Sequence, residues 1–198
     1  MKNIQVDDNF YKKIRNYAVF IPIIEVDGKD HILFEVRSSI VTQPGEVSFP
    51  GGSLEENETF KMAAIRETRE ELNLHEKDID YLGYSSMTLT RHKRHVKAFY
   101  GRINKNLEEI RYNMEVENLF TVDLDFLKDN PPKRYRAEFK MIFPDDFPFE
   151  KIPGGPKYNF YPFFHDMYFY DTDPVIWGLT AGLLKDFIEN IKNKTIIL

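Results

Sequence analysis

The chain of 198 residues contains no cysteine. Disulfide frameworks, thiol nucleophiles and thiolate metal sites are therefore all excluded. Long apolar runs are missing too: none approaches the ~20 residues that cross a bilayer. The opening MKNIQVDDNFYKKIRN has no apolar stretch of the kind that drives secretion. Positive charge is in deficit. Thirty-two Asp and Glu against 27 Lys and Arg leave a net charge of −5, which gives no global attraction to nucleic acid. Repeats and low-complexity tracts are absent. The expectation is a cytoplasmic protein with neither nucleic acid nor membrane as a partner. It should form one domain over residues 1–198, long enough for a complete core.

Apolar periodicity and turn signals place strands at about 17–26 and 31–36, joined at Asp27-Gly28. Further strands are expected at 80–89 and 95–103, and a short helix at 114–120. A last helix is expected at about 174–192, with Asp173 as N-cap and Pro174 in its first turn. Its apolar stripe would be Ile176, Leu179, Leu183, Phe187 and Ile191. Trp177, Gly178 and Gly182 are expected to be packing residues, the glycines allowing close approach. Mixed strands and helices in this order fit an α/β/α sandwich.

The densest chemistry lies in Gly52–Leu74, GSLEENETFKMAAIRETREELNL. From Glu58 to Leu72 the residues are good helix formers without Gly or Pro. Glu67, Glu70 and Glu71 fall within an arc of roughly 100° at 3.6 residues per turn. Phe60, Ala63, Ala64 and Thr68 form part of the buried side. Like charges this close repel, and a hard divalent cation with oxygen ligands turns the repulsion into a binding site. The alternative is a solvated acidic face offset by Arg66 and Arg69. Just upstream, Phe49-Pro50-Gly51-Gly52 supplies paired glycines, which permit close approach of main chain to a ligand.

Gly52, Glu58, Arg66, Glu67, Glu70 and Glu71 stand in the register G-x5-E-x7-R-E-U-x-E-E-x-G-U, where U is a bulky aliphatic residue. This resembles the Nudix family of diphosphate hydrolases. Thr68 stands at the first U, and Asn73 replaces the late glycine. The resemblance implies a Nudix-type sandwich with a mixed sheet and a loop-helix-loop motif. It implies Mg2+ or Mn2+ held by Glu67, Glu70, Glu71 and the Gly51 carbonyl. Arg66 would orient the glutamates by ion pairing, while Gly52 and Glu58 fix the loop. Glu67 and Glu115 are the candidates to accept the proton of the attacking water; Glu115 is otherwise an ordinary surface glutamate.

Three further segments resemble the coenzyme A pyrophosphatase branch. They are Arg37-Ser38 with Gln43–Gly52, then Glu115-Val116 with Phe120, and Ile176-Trp177-Gly178-Leu179-Thr180-Ala181. The arginine-to-glycine spacing is one residue short, and no second arginine appears in Ile40-Val41-Thr42. The resemblance implies a small-molecule diphosphate substrate, coenzyme A or a derivative. The alternative is a Nudix enzyme for NADH, ADP-ribose or an oxidised nucleotide; a non-catalytic ligand-binding regulator is a third reading.

Arg91-His92-Lys93-Arg94-His95, with Lys97, is the main basic cluster. Arg91 and Arg94 read as phosphate-binding candidates alongside Arg37, or else as a solvated hairpin tip. Residues 131–174 hold eight of the 11 prolines and thirteen Phe and Tyr. That favours loops or edge strands. The rings form either an added hydrophobic layer or dimer surface, or a cap over the substrate. A homodimer is possible. His165-Asp166, with no nucleophile nearby, is expected to be structural.

Overall fold

The computed structural model describes residues 14–90, 93–161 and 163–198. β1 (Arg15–Val26) and β2 (Lys29–Arg37) form an antiparallel hairpin with Val26 paired to Lys29. Asp27 and Gly28 both take positive φ, 51° and 75°, the type I′ geometry that Asp-Gly favours. Two short strands follow, β3 (Val47–Ser48) and β4 (Gly51–Ser53), and then α1 (Phe60–Glu71). β5 (Ile79–Leu89), β6 (Arg94–Ile103) and β7 (Val116–Asp123) complete a seven-stranded sheet of path β3-β2-β1-β6-β5. β4 pairs with β1, and β7 with β2. The β1–β6 pair is parallel and its other neighbours are antiparallel, so the sheet is mixed.

β1 is buried on both faces, which is why Ala18–Ile24 reads as a near-continuous apolar run. Ala18, Phe20 and Ile24 face one layer, with Ala63, Ala64 and Leu72 of α1. Ile21 and Ile23 face the other. There they meet Leu124 and Leu127 of α2 (Leu124–Asp129) and Leu184 and Phe187 of α3 (Gly178–Lys192). The result is the α/β/α sandwich. Ala63 and Ala64 have no accessible surface, and their small side chains let α1 lie close on β1. The Thr68 hydroxyl donates to the Ala64 carbonyl at 2.7 Å, so a polar residue is buried there without an orphaned group.

A second, three-stranded sheet carries part of the aromatic segment: β8 (Lys133–Phe139), β9 (Phe163–Tyr170) and β10 (Ile176–Trp177), in the order β10-β9-β8. Between β8 and β9, Phe143 packs against Phe147, Phe149 and Phe160 at centroid distances of 4.4–5.3 Å. These rings bury one another as a small layer of their own. Asp166 pairs with Arg134 at 3.1 Å and Arg136 at 2.9 Å across the strands, a structural role.

Three expectations are corrected. Residues 116–123 form a strand, not a helix, because seven of them pair with β2; tertiary pairing overrides local helix preference. The last helix begins at Gly178, with Trp177 rather than Asp173 at its N-cap. Ile176 and Trp177 are taken up by pairing with Tyr170 and Phe169, which delays the helix. The Thr172 hydroxyl closes the turn before them, donating to the Pro174 carbonyl and accepting from the Ile176 amide. The late start also moves Leu179 off the apolar stripe, where it is exposed, while Leu183 and Phe187 remain buried. A Cβ at Gly178 or Gly182 would meet nothing within 4 Å, so neither glycine serves close packing. Trp177 does pack, stacking on Phe169 at 5.8 Å. Among the described residues no helix is long and apolar enough to cross a membrane.

Candidate active site

The Thr59 hydroxyl caps α1 by accepting from the Met62 amide at 3.3 Å. Its C-terminal end closes on Asn73, which adopts φ 47°, while the Leu74 amide reaches back to the Arg69 carbonyl at 3.0 Å. This is the Schellman arrangement, which needs a left-handed residue. Asparagine tolerates that conformation and can replace glycine there. The variant position of the motif thus keeps its geometry.

Loop and helix meet at two places. The Gly51 amide donates to the Glu71 carboxylate at 2.8 Å. At Gly51 an added Cβ would lie 2.3 Å from the Ala18 carbonyl, and at Gly52 it would lie 2.2 Å from Glu67 Oε1. Only glycine lets the β4 backbone lie against β1 on one side and a helix carboxylate on the other.

Arg66 is the hub of the exposed side. Its Nε and Nη2 donate to the two Glu58 oxygens at 2.9 and 3.0 Å, and Nη2 also reaches the Ser53 carbonyl at 3.1 Å. Nη1 bridges Glu67 at 2.9 Å and Glu70 at 3.2 Å. One planar guanidinium thereby joins the loop to two of the helix carboxylates. It holds the Glu58 carboxyl below the ordinary range, and Glu58 raises Arg66 in turn.

On the buried side no cation among the described residues makes such a bridge. Glu71 is 4 % exposed. Burial pushes its carboxyl up to about 9, repulsion from Glu35, Glu67 and Glu115 adds to the rise, and the Gly51 amide opposes it. Glu67 is also raised, chiefly by burial, against the pull of Arg66. Glu115 is exposed and held by backbone on two sides. The Ser38 amide donates to its carbonyl at 2.9 Å, and Asn113 anchors the turn to the Glu71 carbonyl at 2.8 Å. Its own amide is bound by Asn113 Oδ1 at 2.8 Å. Sequence reading named Ser38 only within the Arg37-Ser38 segment and missed Asn113, which works through both its amide and its side-chain oxygen.

Among the described residues no three acidic or histidine side chains form a closed metal cage; Glu71 turns to Gly51, while Glu67 and Glu70 turn to Arg66. The donor set nevertheless fits a hard divalent ion. The charges of Glu67 and Glu115 raise the proton affinity of Glu35 and Glu71, Glu35 adds to that of Glu71, and one oxygen of the buried Glu35 has no hydrogen-bond partner. Uncompensated carboxylate oxygens are what Mg2+ and Mn2+ prefer.

Two of the arginine candidates, Arg37 and Arg94, lie among the described residues. Arg37 ends β2, and its Nε donates to the Thr42 carbonyl at 2.9 Å. Residues 43–46 fold back on it, with the Gly45 amide on the Arg37 carbonyl at 2.8 Å. The guanidinium of Arg94 lies 5.5 Å from the centre of the Tyr17 ring. Tyr17 pairs with Ser53, next to Gly52, so Arg94 sits near the start of the loop. Arg91 and His92 lie outside the described residues. At the far end of the chain, the Thr180 hydroxyl donates to the Val47 carbonyl at 2.9 Å, pinning α3 to the strand that leads into Phe49-Pro50-Gly51-Gly52.

Fold and centre together define an acid-lined loop and helix that gather carboxylates at the edge of an α/β/α sandwich. Residues 14–143 match the NUDIX domain. Nudix hydrolase 3 of Caenorhabditis elegans is 34% identical over 176 residues, covering 84% of this chain and 69% of that protein. The peroxisomal coenzyme A diphosphatase NUDT7 of Mus musculus is 30% identical over 112 residues, 56% of this chain and 48% of its own. The mitochondrial coenzyme A diphosphatase NUDT8 of the same animal is 30% identical over 123 residues, 60% and 59%. The chain thus spans roughly half to two thirds of these relatives' lengths. It belongs to the Nudix family.

Proposed function

We propose that the protein is a metal-dependent diphosphatase, and that its substrate is coenzyme A or an acyl or oxidised derivative. The observation that carries the chemistry is the set of crowded carboxylates around Glu71, with one buried oxygen unpartnered. Glu67, Glu70, Glu71 and the Gly51 carbonyl would hold Mg2+ or Mn2+. When bound, such an ion neutralises diphosphate charge and lowers the pKa of a coordinated water.

The chain's own residues do the rest. Arg66 keeps Glu67 and Glu70 in place by bridging them to Glu58. A water that attacks phosphorus must lose a proton, and Glu67 and Glu115 are the acceptors. Water adds to one phosphorus, the bridging P–O bond breaks, and the leaving phosphate takes the electron pair. From coenzyme A the products are adenosine 3′,5′-bisphosphate and 4′-phosphopantetheine. Arg37 and Arg94, with Arg91, are cations for the substrate phosphates, including the 3′-phosphate. Support for coenzyme A comes from the branch-like segments at 37–52, 115–120 and 176–181, and from the names of two relatives.

The shortened Arg37–Gly45 spacing favours a second reading, a Nudix diphosphatase for NADH, ADP-ribose or an oxidised nucleotide. Metal dependence tests the chemistry under either reading. Adenosine 3′,5′-bisphosphate release from coenzyme A should need added Mg2+ or Mn2+, stop in EDTA and vanish in Glu70→Gln. Undiminished release by Glu70→Gln would contradict the assignment.

A further inference from the structure

β2 reads His-Ile-Leu-Phe-Glu-Val, and the one acid in this apolar stretch, Glu35, is 2 % exposed. A carboxylate rarely enters a sheet interior without a cation or a full set of hydrogen bonds. Glu35 has half of one. Its Oε1 accepts from the Ser48 hydroxyl at 2.8 Å across the β2–β3 pair. Its Oε2 is buried with no partner. Ser48 is three residues before Gly51, whose amide holds the Glu71 carboxylate. The anchored oxygen of Glu35 thus faces the strand leading into the glycine loop, and Glu35 is the charge that bears most on Glu71. Arg37, two residues along the same strand, draws the Glu35 carboxyl down by its charge, but its Nε is given to the Thr42 carbonyl. No described hydrogen bond or ion pair therefore compensates this oxygen.

We propose that Glu35 belongs to the cation site, its unpartnered Oε2 providing a ligand oxygen for the divalent ion from the sheet side, opposite the carboxylates of α1. Ser48 is then a positioning residue that fixes which oxygen is free. The inference rests on the metal-dependent reading above and extends it to a residue outside the loop-helix motif. An ion there removes two costs together, the orphaned oxygen and the repulsion between Glu35 and Glu71.

The test is Mn2+ binding without substrate, followed by electron paramagnetic resonance of free Mn2+, with melting temperatures taken in EDTA. Glu35→Gln keeps the size and can still accept from Ser48, but lacks the charge. Its Mn2+ affinity is expected to fall tenfold or more, while its metal-free melting temperature holds or rises. If this variant does not fold, Glu35→Asp carries the same comparison, keeping the charge but withdrawing the oxygens by one methylene. Glu70→Gln is the control. Mn2+ affinity in Glu35→Gln within threefold of the unsubstituted protein, with Glu70→Gln impaired, overturns the role of Glu35 and leaves the metal reading intact. A lower metal-free melting temperature with unchanged affinity makes Glu35 merely structural. No Mn2+ binding by the unsubstituted protein overturns both.

Discussion

Replacing Arg66 with lysine probes the hub of the site without removing its charge. The guanidinium makes five hydrogen bonds, two to Glu58 and one each to Glu67, Glu70 and the Ser53 carbonyl. An ammonium is a point donor and cannot span these groups together. The Arg66 side chain is 23% exposed and Glu58 only 9%, so the Glu58 pair lies between a surface and a buried bridge. Charge-assisted bonds contribute about 1.5–3 kcal/mol each when shielded. Allowing for solvent, loss of the two bonds to Glu58 should cost about 2–3 kcal/mol. In a domain of this size that is a fall of roughly 4–10 °C in melting temperature. Turnover should fall at least about tenfold, since Glu67 and Glu70 lose their common anchor. Thermal melts in EDTA and initial rates with saturating Mn2+ read the two effects. A melting temperature within ~1 °C of the parent, with full turnover, would show that the bridge is an ordinary surface ion pair.

Other consequences concern the loop and the buried acid. Glu71→Gln should reduce turnover by about a thousandfold with the far-ultraviolet dichroism unchanged; near-normal rates would remove Glu71 from the site. The Glu71 carboxyl is raised in the fold to about 9 from the ordinary 4.5, so the folded state holds a proton the unfolded chain releases. Its contribution is therefore complete below about pH 4.5 and is lost as pH rises towards about 9. In EDTA the melting temperature should decline over that window, and less steeply in Glu71→Gln; identical slopes would contradict this. Gly52→Ala sets a methyl 2.2 Å from Glu67 Oε1, and should cost about 1–3 kcal/mol and most of the activity. Thr180→Val removes the bond to the Val47 carbonyl. It should lower stability by about 1 kcal/mol in urea titrations, and no change would show that α3 does not need this tie.

Much of the sandwich was legible because its signals are local. Asp27-Gly28 dictates its own turn, the double-sided burial of β1 writes an apolar run, and α1 carries both periodicity and helix formers. What escaped is decided by distant partners. Val116–Asp123 becomes a strand only because β2 offers an edge, and Ile176-Trp177 join a sheet before the helix can begin. At the site, the resemblance implied that Arg66 orients the helix glutamates by ion pairing, and Arg66 does bridge Glu58, Glu67 and Glu70, though not the buried Glu71. Glu35 left one trace, a charge within an apolar strand, whose meaning depends on Ser48 and Glu71 meeting it in space. Asn113 left none, since its contacts run to the backbone of Glu71 and Glu115, which no side-chain pattern reveals.

Product analysis by mass spectrometry tests the central claim most directly. The protein would be incubated separately with coenzyme A, NADH, ADP-ribose and 8-oxo-dGTP, each with Mg2+ and with Mn2+. The account predicts 4′-phosphopantetheine and adenosine 3′,5′-bisphosphate from coenzyme A as the dominant reaction. Faster cleavage of another compound would contradict the coenzyme A assignment while keeping diphosphate hydrolysis, and no cleavage of any would contradict the catalytic reading itself.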